Sequence, residues 1–109
     1  MITIEDFQRL DMRVGRIVDV EYLPAARKPS CKLTVDLGPL GSRRSVAALK
    51  TDYALEDLRG RLVVCVVNLP PRRVAGLASE ILVLAATEDD GRLRLLTPDG
   101  PAELGSRIT

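Results

Sequence analysis

Histidine and tryptophan are both absent from this chain of 109 residues, and one phenylalanine with two tyrosines is its entire aromatic content. Lack of histidine removes the commonest general base, the commonest metal ligand and every Ser-His or Cys-His nucleophile arrangement. Catalysis by carboxylates alone is the remaining enzymatic route, and nothing in the chain suggests it, so no enzyme is expected. Cysteine is scarce too. Cys31 and Cys65 stand apart in apolar strand patterns with no metal spacing, and they read as buried reduced thiols. No cofactor or metal is implied. Long apolar runs are missing, since Leu62 to Val67 is far shorter than the ~20 residues of a membrane span. The opening Met1-Ile2-Thr3-Ile4-Glu5-Asp6 has neither a basic nor an apolar leader segment, so a cytoplasmic protein without membrane insertion is expected.

What the chain does have is a basic middle. The net charge is only +1. Residues 1 to 21 carry three basic and five acidic side chains (−2), residues 22 to 79 ten and four (+6), and residues 80 to 109 three and six (−3). From Leu58 to Ser79 there are four arginines, Arg59, Arg61, Arg72 and Arg73, and no acid. Such asymmetry is the footprint of an anionic partner, or of arginines that merely solvate the faces of a sheet. Within that stretch Asn68-Leu69-Pro70-Pro71-Arg72-Arg73 stands out. Proline fixes φ near −65° and restricts its predecessor, so the pair predicts a stiff loop base from which two arginines project.

Length suits one domain over residues 1–109. Thr3 and Asp6 have the spacing of a helix cap, predicting a short helix with Phe7 and Leu10 on its apolar side. Val18, Val20 and Tyr22 alternate with Asp19 and Glu21 as in a half-buried strand. Val14 and Ile17 fall out of that phase, which predicts a bulge near Gly15 and Arg16. Pro24 to Pro29 is a turn-rich connector. Leu33, Val35 and Leu37 mark a second strand, and Gly38 to Ser42 a tight turn into a third over Arg43 to Leu49. Lys50 to Arg59 reads as a helical turn ended by Gly60, and Leu62 to Val67 as a strand covered on both faces. Ile81 to Ala86 is a fifth strand, and Glu88-Asp89-Asp90-Gly91 turns the chain back through Leu93 to Leu96. Five short antiparallel strands with a helical segment between the third and fourth fit an all-β architecture with short helices, a five-stranded Greek-key barrel of the OB type. A three-layer α/β fold is disfavoured, because the long amphipathic crossover helices it needs are missing.

Several motifs carry a resemblance. Asp6-Phe7, Leu10-Asp11-Met12-Arg13-Val14-Gly15, Pro24-Ala25, Lys32-Leu33, Val35-Asp36-Leu37-Gly38 and Asn68-Leu69-Pro70-Pro71-Arg72, with Gly76, Ser79-Glu80 and Leu82, resemble the tRNA-binding domain family across almost the whole chain. The Pro-Pro-Arg-Arg form of the loop and the short tail are most similar to its export-related chaperone branch. The resemblance implies an OB-fold homodimer that binds tRNA and, in that branch, unfolded or export-bound polypeptide. It implies a tRNA-contacting role for Asn68, Arg72, Arg73, Ser79 and Glu80, and for Arg43, Arg44 and Ser45 on the facing strand. Two departures make the surface drier and favour a peptide-binding role. Ile81-Leu82 stands where relatives commonly have Gly-Met, and Ser45-Val46-Ala47 where they carry a more polar stretch.

Beside the resemblance, the residues allow competing roles. Arginine suits phosphate through its planar fork, and Asn68 could reach a base or sugar hydroxyl, or simply cap a strand end. Glu80 is either an organiser of loop amides or an exposed strand-end carboxylate. Val46, Leu49, Val74, Leu77 and Leu82, with Leu40 at a turn, are the candidate peptide-binding surface, or in part the barrel core. Tyr22 and Tyr53 could stack on bases, though their apolar settings favour packing. Pro101, Ala102, Leu104 and Ile108 with the first helix are the expected dimer interface.

Overall fold

In this computed structural model, which describes residues 1–24, 30–49 and 52–109, helix α1 (Ile4–Gln8) begins at a reciprocal cap. The Thr3 hydroxyl accepts from the Asp6 amide at 3.2 Å while the Asp6 carboxylate accepts from the Thr3 amide at 3.0 Å. Arg107 closes the other end by donating to the Gln8 and Leu10 carbonyls, oxygens that a helix terminus leaves unpaired. None of the helix's five residues is buried.

Strands β1 (Met12–Leu23), β2 (Ser30–Asp36) and β3 (Ser42–Ala47) form a meander, followed by a helical turn α2 (Leu55–Leu58) and β4 (Leu62–Val66). Next come two short hairpin strands, β5 (Arg72–Val74) and β6 (Leu77–Ser79), then β7 (Leu82–Val83), β8 (Ala85–Thr87) and β9 (Leu93–Leu95). The main sheet runs β3-β2-β1-β4-β7, all antiparallel. It curls because β1 is long enough to serve two partners: Met12 to Arg16 pair with β4, and Arg16 to Leu23 with β2. Where β2 leaves the start of β1, the C-terminal tail takes its place, exchanging bonds between Val14 and Ser106, Gly105 and Val14, and Ile108 and Met12. The curl closes at β3, whose Arg44 carbonyl accepts the Glu80 amide at 2.9 Å. The result is the expected OB-like, mostly β fold.

The core divides as the strand period requires. Val63, Cys65 and Val67 enter the main cluster with Ile17, Leu33 and Leu37, while Val64 and Val66 face a smaller one with Met12 and Phe7. Strand β4 is therefore covered on both faces. Burial pushes the Cys65 thiol up to about 12.

Several local expectations are corrected. The bulge lies at Val18, where the pairing steps from Ile17↔Val35 to Asp19↔Thr34, and it leaves Val18 exposed at 43%; Tyr22, in phase with the buried Val20, is exposed at 42% near the strand end. Gly15 is regularly paired with Val63; it is glycine because a Cβ there would collide with Val35 and Leu37. The stiff loop after Pro71 is a hairpin. Its two-residue turn, Ala75-Gly76, has φ of 51° and 79°, the mirror-image turn that matches strand twist. The fifth strand breaks at Leu84, whose amide donates to Val64 while its carbonyl accepts from Leu96, so the chain changes partner there. The predicted helix shrinks to Leu55–Leu58, with Lys50 and Thr51 outside the described residues, as is the connector from residue 25 to 29. Ahead of that helical turn, the Asp52 carboxylate and Tyr53 hydroxyl accept the Leu93 and Leu95 amides at 3.1 and 3.0 Å. Arg61 covers the Tyr53 ring at 5.0 Å.

Candidate nucleic-acid interface

The β5–β6 hairpin decides which basic residues meet. Adjacent strand residues point to opposite faces, so Arg72 and Arg73 separate. Arg73 folds back and donates to the Gly76 carbonyl at 3.1 Å. Arg72 has no acceptor among the described residues. It stands instead between two open hollows. One, of ≈ 410 Å³, is walled by Leu69, Pro70, Pro71, Glu80 and Ile81. The other, of ≈ 300 Å³, is walled by Val46, Ala47, Ala48, Leu84 and Leu93. Arg72 and Leu82 belong to both.

Ser79 and Glu80 line the first hollow and also hold the fold together. Strand β3 has amides that no strand covers at this point, and the two side chains supply acceptors for them. Ser79 Oγ accepts the Val46 amide at 3.0 Å and donates to the Ile81 carbonyl. Glu80 Oε1 accepts the Arg44 amide at 3.0 Å and lies 3.6 Å from the Arg44 guanidinium. Together they latch β3 to the end of β6 and the residue that follows it. Ser79 and Ser45 are buried, each lining one of the two hollows, and the Ser79 hydroxyl is spent on barrel closure. Glu80 remains half-exposed on the wall of the first hollow.

Asn68 is also engaged inside the protein. Its Oδ1 accepts the Asp11 amide at 2.9 Å and its Nδ2 donates to the Arg9 carbonyl at 2.8 Å, tying the end of β4 to the exit of α1. Its amide cannot read a base without breaking that tie. Arg43 donates to the Val67 carbonyl at 3.3 Å, on the opposite face of β3 from Arg44. Beside it Asp11 meets Arg13 at 2.6 Å. The Arg13 hydrogen bond, with the charges of Arg13, Arg107 and Arg43, holds the Asp11 carboxyl below its usual range despite opposing desolvation.

Of the candidate peptide-binding residues, Leu49 lies in the core at 1% exposure, which removes it. Val46 is buried, and only its edge reaches the second hollow. Ile81 is buried as well, so the drier surface expected from Ile81-Leu82 reduces to Leu82, exposed at 37%. Val74 and Leu77 are half-buried on the hairpin, and Leu40 is exposed on the Gly38–Leu40 turn. Sequence reasoning missed Leu69, Ala48 and Leu93 as walls. Leu69 was accessible through its place before the prolines; Leu93 arrives from a distant hairpin and carries no local signal. A third hollow, of ≈ 460 Å³, lies between α1 and the tail, with Ile4, Phe7, Leu10 and Ile108 on its walls. Among the described residues no cluster of His, Cys, Asp or Glu is arranged to hold a metal, and no helix is long and apolar enough to cross a membrane.

Comparisons with known proteins agree with this geometry. The family model described as "Putative tRNA binding domain" matches residues 12–107. The methionine–tRNA ligase of Thiobacillus denitrificans is 42% identical over 98% of the chain, which spans only 16% of that ligase's length. The crystal structure of chaperone CsaA from Bacillus anthracis is similar at a TM-score of 0.94 and 41% identity, with 100% of this chain and 99% of that one covered. The CsaA chaperone protein from Picrophilus torridus gives 0.92 and 42%, with both chains wholly covered. Matched from the first strand of its curled sheet to the tail that pairs back on that strand, the chain belongs to the tRNA-binding domain family.

Proposed function

We propose that this chain is a non-enzymatic, cytoplasmic homodimer that binds tRNA through the face carrying Arg72. One observation carries the reading: a cationic side chain on a proline-stiffened hairpin stands between two hollows with no acceptor among the described residues. Arginine in that setting offers bidentate hydrogen bonds to a phosphate. Little ordering cost opposes the contact, because Pro70 and Pro71 already fix the approach. The family match and the ligase similarity support tRNA as the polyanion.

A second activity, holding unfolded or export-bound polypeptide as a CsaA-type chaperone, is supported by the end-to-end similarity to CsaA structures. Leu69 and Leu82 give it exposed apolar ground at the same hollow. The alternative is a dedicated tRNA-binding cofactor acting beside an aminoacyl-tRNA synthetase. The homodimer rests on α1. A helix of five residues is far too short to persist alone, none of its residues is buried, and Ile4 and Leu10 are exposed on the wall of the third hollow. A second copy meeting this face would supply the missing burial.

Competition between bulk tRNA and a reduced, carboxymethylated protein for the purified chain tests both activities. With roughly three to five phosphate contacts, log affinity for tRNA should fall with log salt at a slope of about −2 to −3.5. Arg72→Ala should weaken tRNA by about tenfold and Arg73→Ala by about twofold, since only Arg72 is unengaged. A salt-insensitive affinity, or equal losses in the two variants, would refute the tRNA site. Failure of the unfolded protein to bind would leave the cofactor reading in place.

A further inference from the structure

We propose that the two hollows beside Arg72 take one unpaired dinucleotide step of RNA, the bridging phosphate on Arg72 and one base in each hollow. Glu80 makes the first hollow select a base with an exocyclic amine. The inference rests on the tRNA-binding reading and specifies its ligand.

The argument begins with availability. Among the described residues every arginine except Arg9 and Arg72 has an acceptor or an ion-pair partner. Arg9 lines none of the three hollows. Arg72 alone combines a free guanidinium with apolar ground on both sides. The matching ligand is an anion flanked by two flat, weakly polar groups, the repeating pattern of a single strand. A duplex fails this test because its bases are stacked inside and cannot enter. An extended peptide fits less well. Strand addition draws affinity from main-chain hydrogen bonds, and Pro70 and Pro71, which lead into β5, have no amide to donate.

Glu80 adds selectivity. One carboxylate oxygen accepts the Arg44 amide, and the other has no partner among the described residues while its side chain walls the first hollow. An acceptor there suits the amino group of cytosine or adenine. Uracil has no amino group, and its one edge donor, N3–H, is flanked by two carbonyl oxygens that the carboxylate repels, so it suits this wall less well. No aromatic side chain lines either hollow, so the bases rest on aliphatic side chains and proline, and each should add about fivefold to affinity, the low end for stacked bases.

The test uses the full chain and fluorescent 12-nucleotide probes: oligocytidylate, oligouridylate, an abasic backbone of equal charge, and a blunt RNA duplex, with bulk tRNA as the reference. Oligocytidylate should bind at least tenfold tighter than the abasic strand and about fivefold tighter than oligouridylate. Arg72→Ala should weaken oligocytidylate by about tenfold. Leu82→Glu, at an exposed position shared by both hollows, should erase the advantage over the abasic strand while urea denaturation shows it folded. If tRNA binds but the abasic strand or the duplex matches oligocytidylate, the dinucleotide site is overturned and the tRNA reading stands. Equal binding of the two homopolymers removes the role of Glu80. If an unfolded protein displaces oligocytidylate and itself loses binding in Arg72→Ala, the cleft belongs to polypeptide. If tRNA itself does not bind, both readings fall.

Discussion

Asn68 illustrates how a polar residue at a strand end becomes structural. Its amide bridges a backbone donor at Asp11 and a backbone acceptor at Arg9, and Asn68→Ala should cost about 1 kcal/mol in urea denaturation, because both groups lie near solvent and regain water. Two ionisable residues set opposite pH limits. Asp11 has a lowered carboxyl pKa in the folded chain, so its contribution is present above the unfolded value near 3.8 and is lost as pH falls through the lower folded value. Asp11→Asn should therefore be less stable than the parent at pH 6, with the gap closing in acid. Cys65 is raised from 9.0 to about 12, so its contribution is whole below pH 9 and disappears as pH climbs toward 12. Cys65→Val should flatten the alkaline limb of stability. At this scale the sequence showed which residues were polar or basic but not what they touch. Ser45, Ser79 and Glu80 were legible as a cluster of candidates, yet the partners of Ser79 and Glu80 are backbone amides on a strand more than thirty residues away, and no local pattern encodes that.

Among the elements, the caps and alternations were legible because they rest on neighbours. Thr3 with Asp6 predicts α1, and the β-branched run from Leu62 predicts β4. The β5–β6 hairpin escaped because its turn lacks the usual signature. Ala75 occupies a left-handed position, φ 51°, that asparagine or glycine ordinarily fills. Ala75→Asn should stabilise the protein by about 0.5–1 kcal/mol, because the short polar side chain of asparagine hydrogen-bonds the local backbone and so tolerates a left-handed position that alanine does not. A rise in the thermal midpoint without loss of tRNA affinity is the expected reading; a fall would mean that the hairpin draws its geometry from the prolines instead. The bulge at Val18 was misplaced by three residues because Gly15 also disturbs the period, though for a packing reason.

For the molecule as a whole, the OB-like architecture was legible from strand count, turn chemistry and the absence of crossover helices. Closure was expected of such a barrel, but its means was not legible, since it depends on two side chains standing in for a strand. If α1 and the third hollow form the dimer contact, Ile4→Glu should convert the dimer to a monomer in sedimentation, while the barrel's circular dichroism is unchanged; a persistent dimer would place the contact elsewhere. One further consequence follows from Asp52 and Tyr53, which occupy the outward amides of Leu93 and Leu95 in β9. Those donors are what a stray strand from another molecule would seize first. With them satisfied from within, this flank gives aggregation no template, and chains that meet it there do so through side chains rather than by strand-by-strand growth.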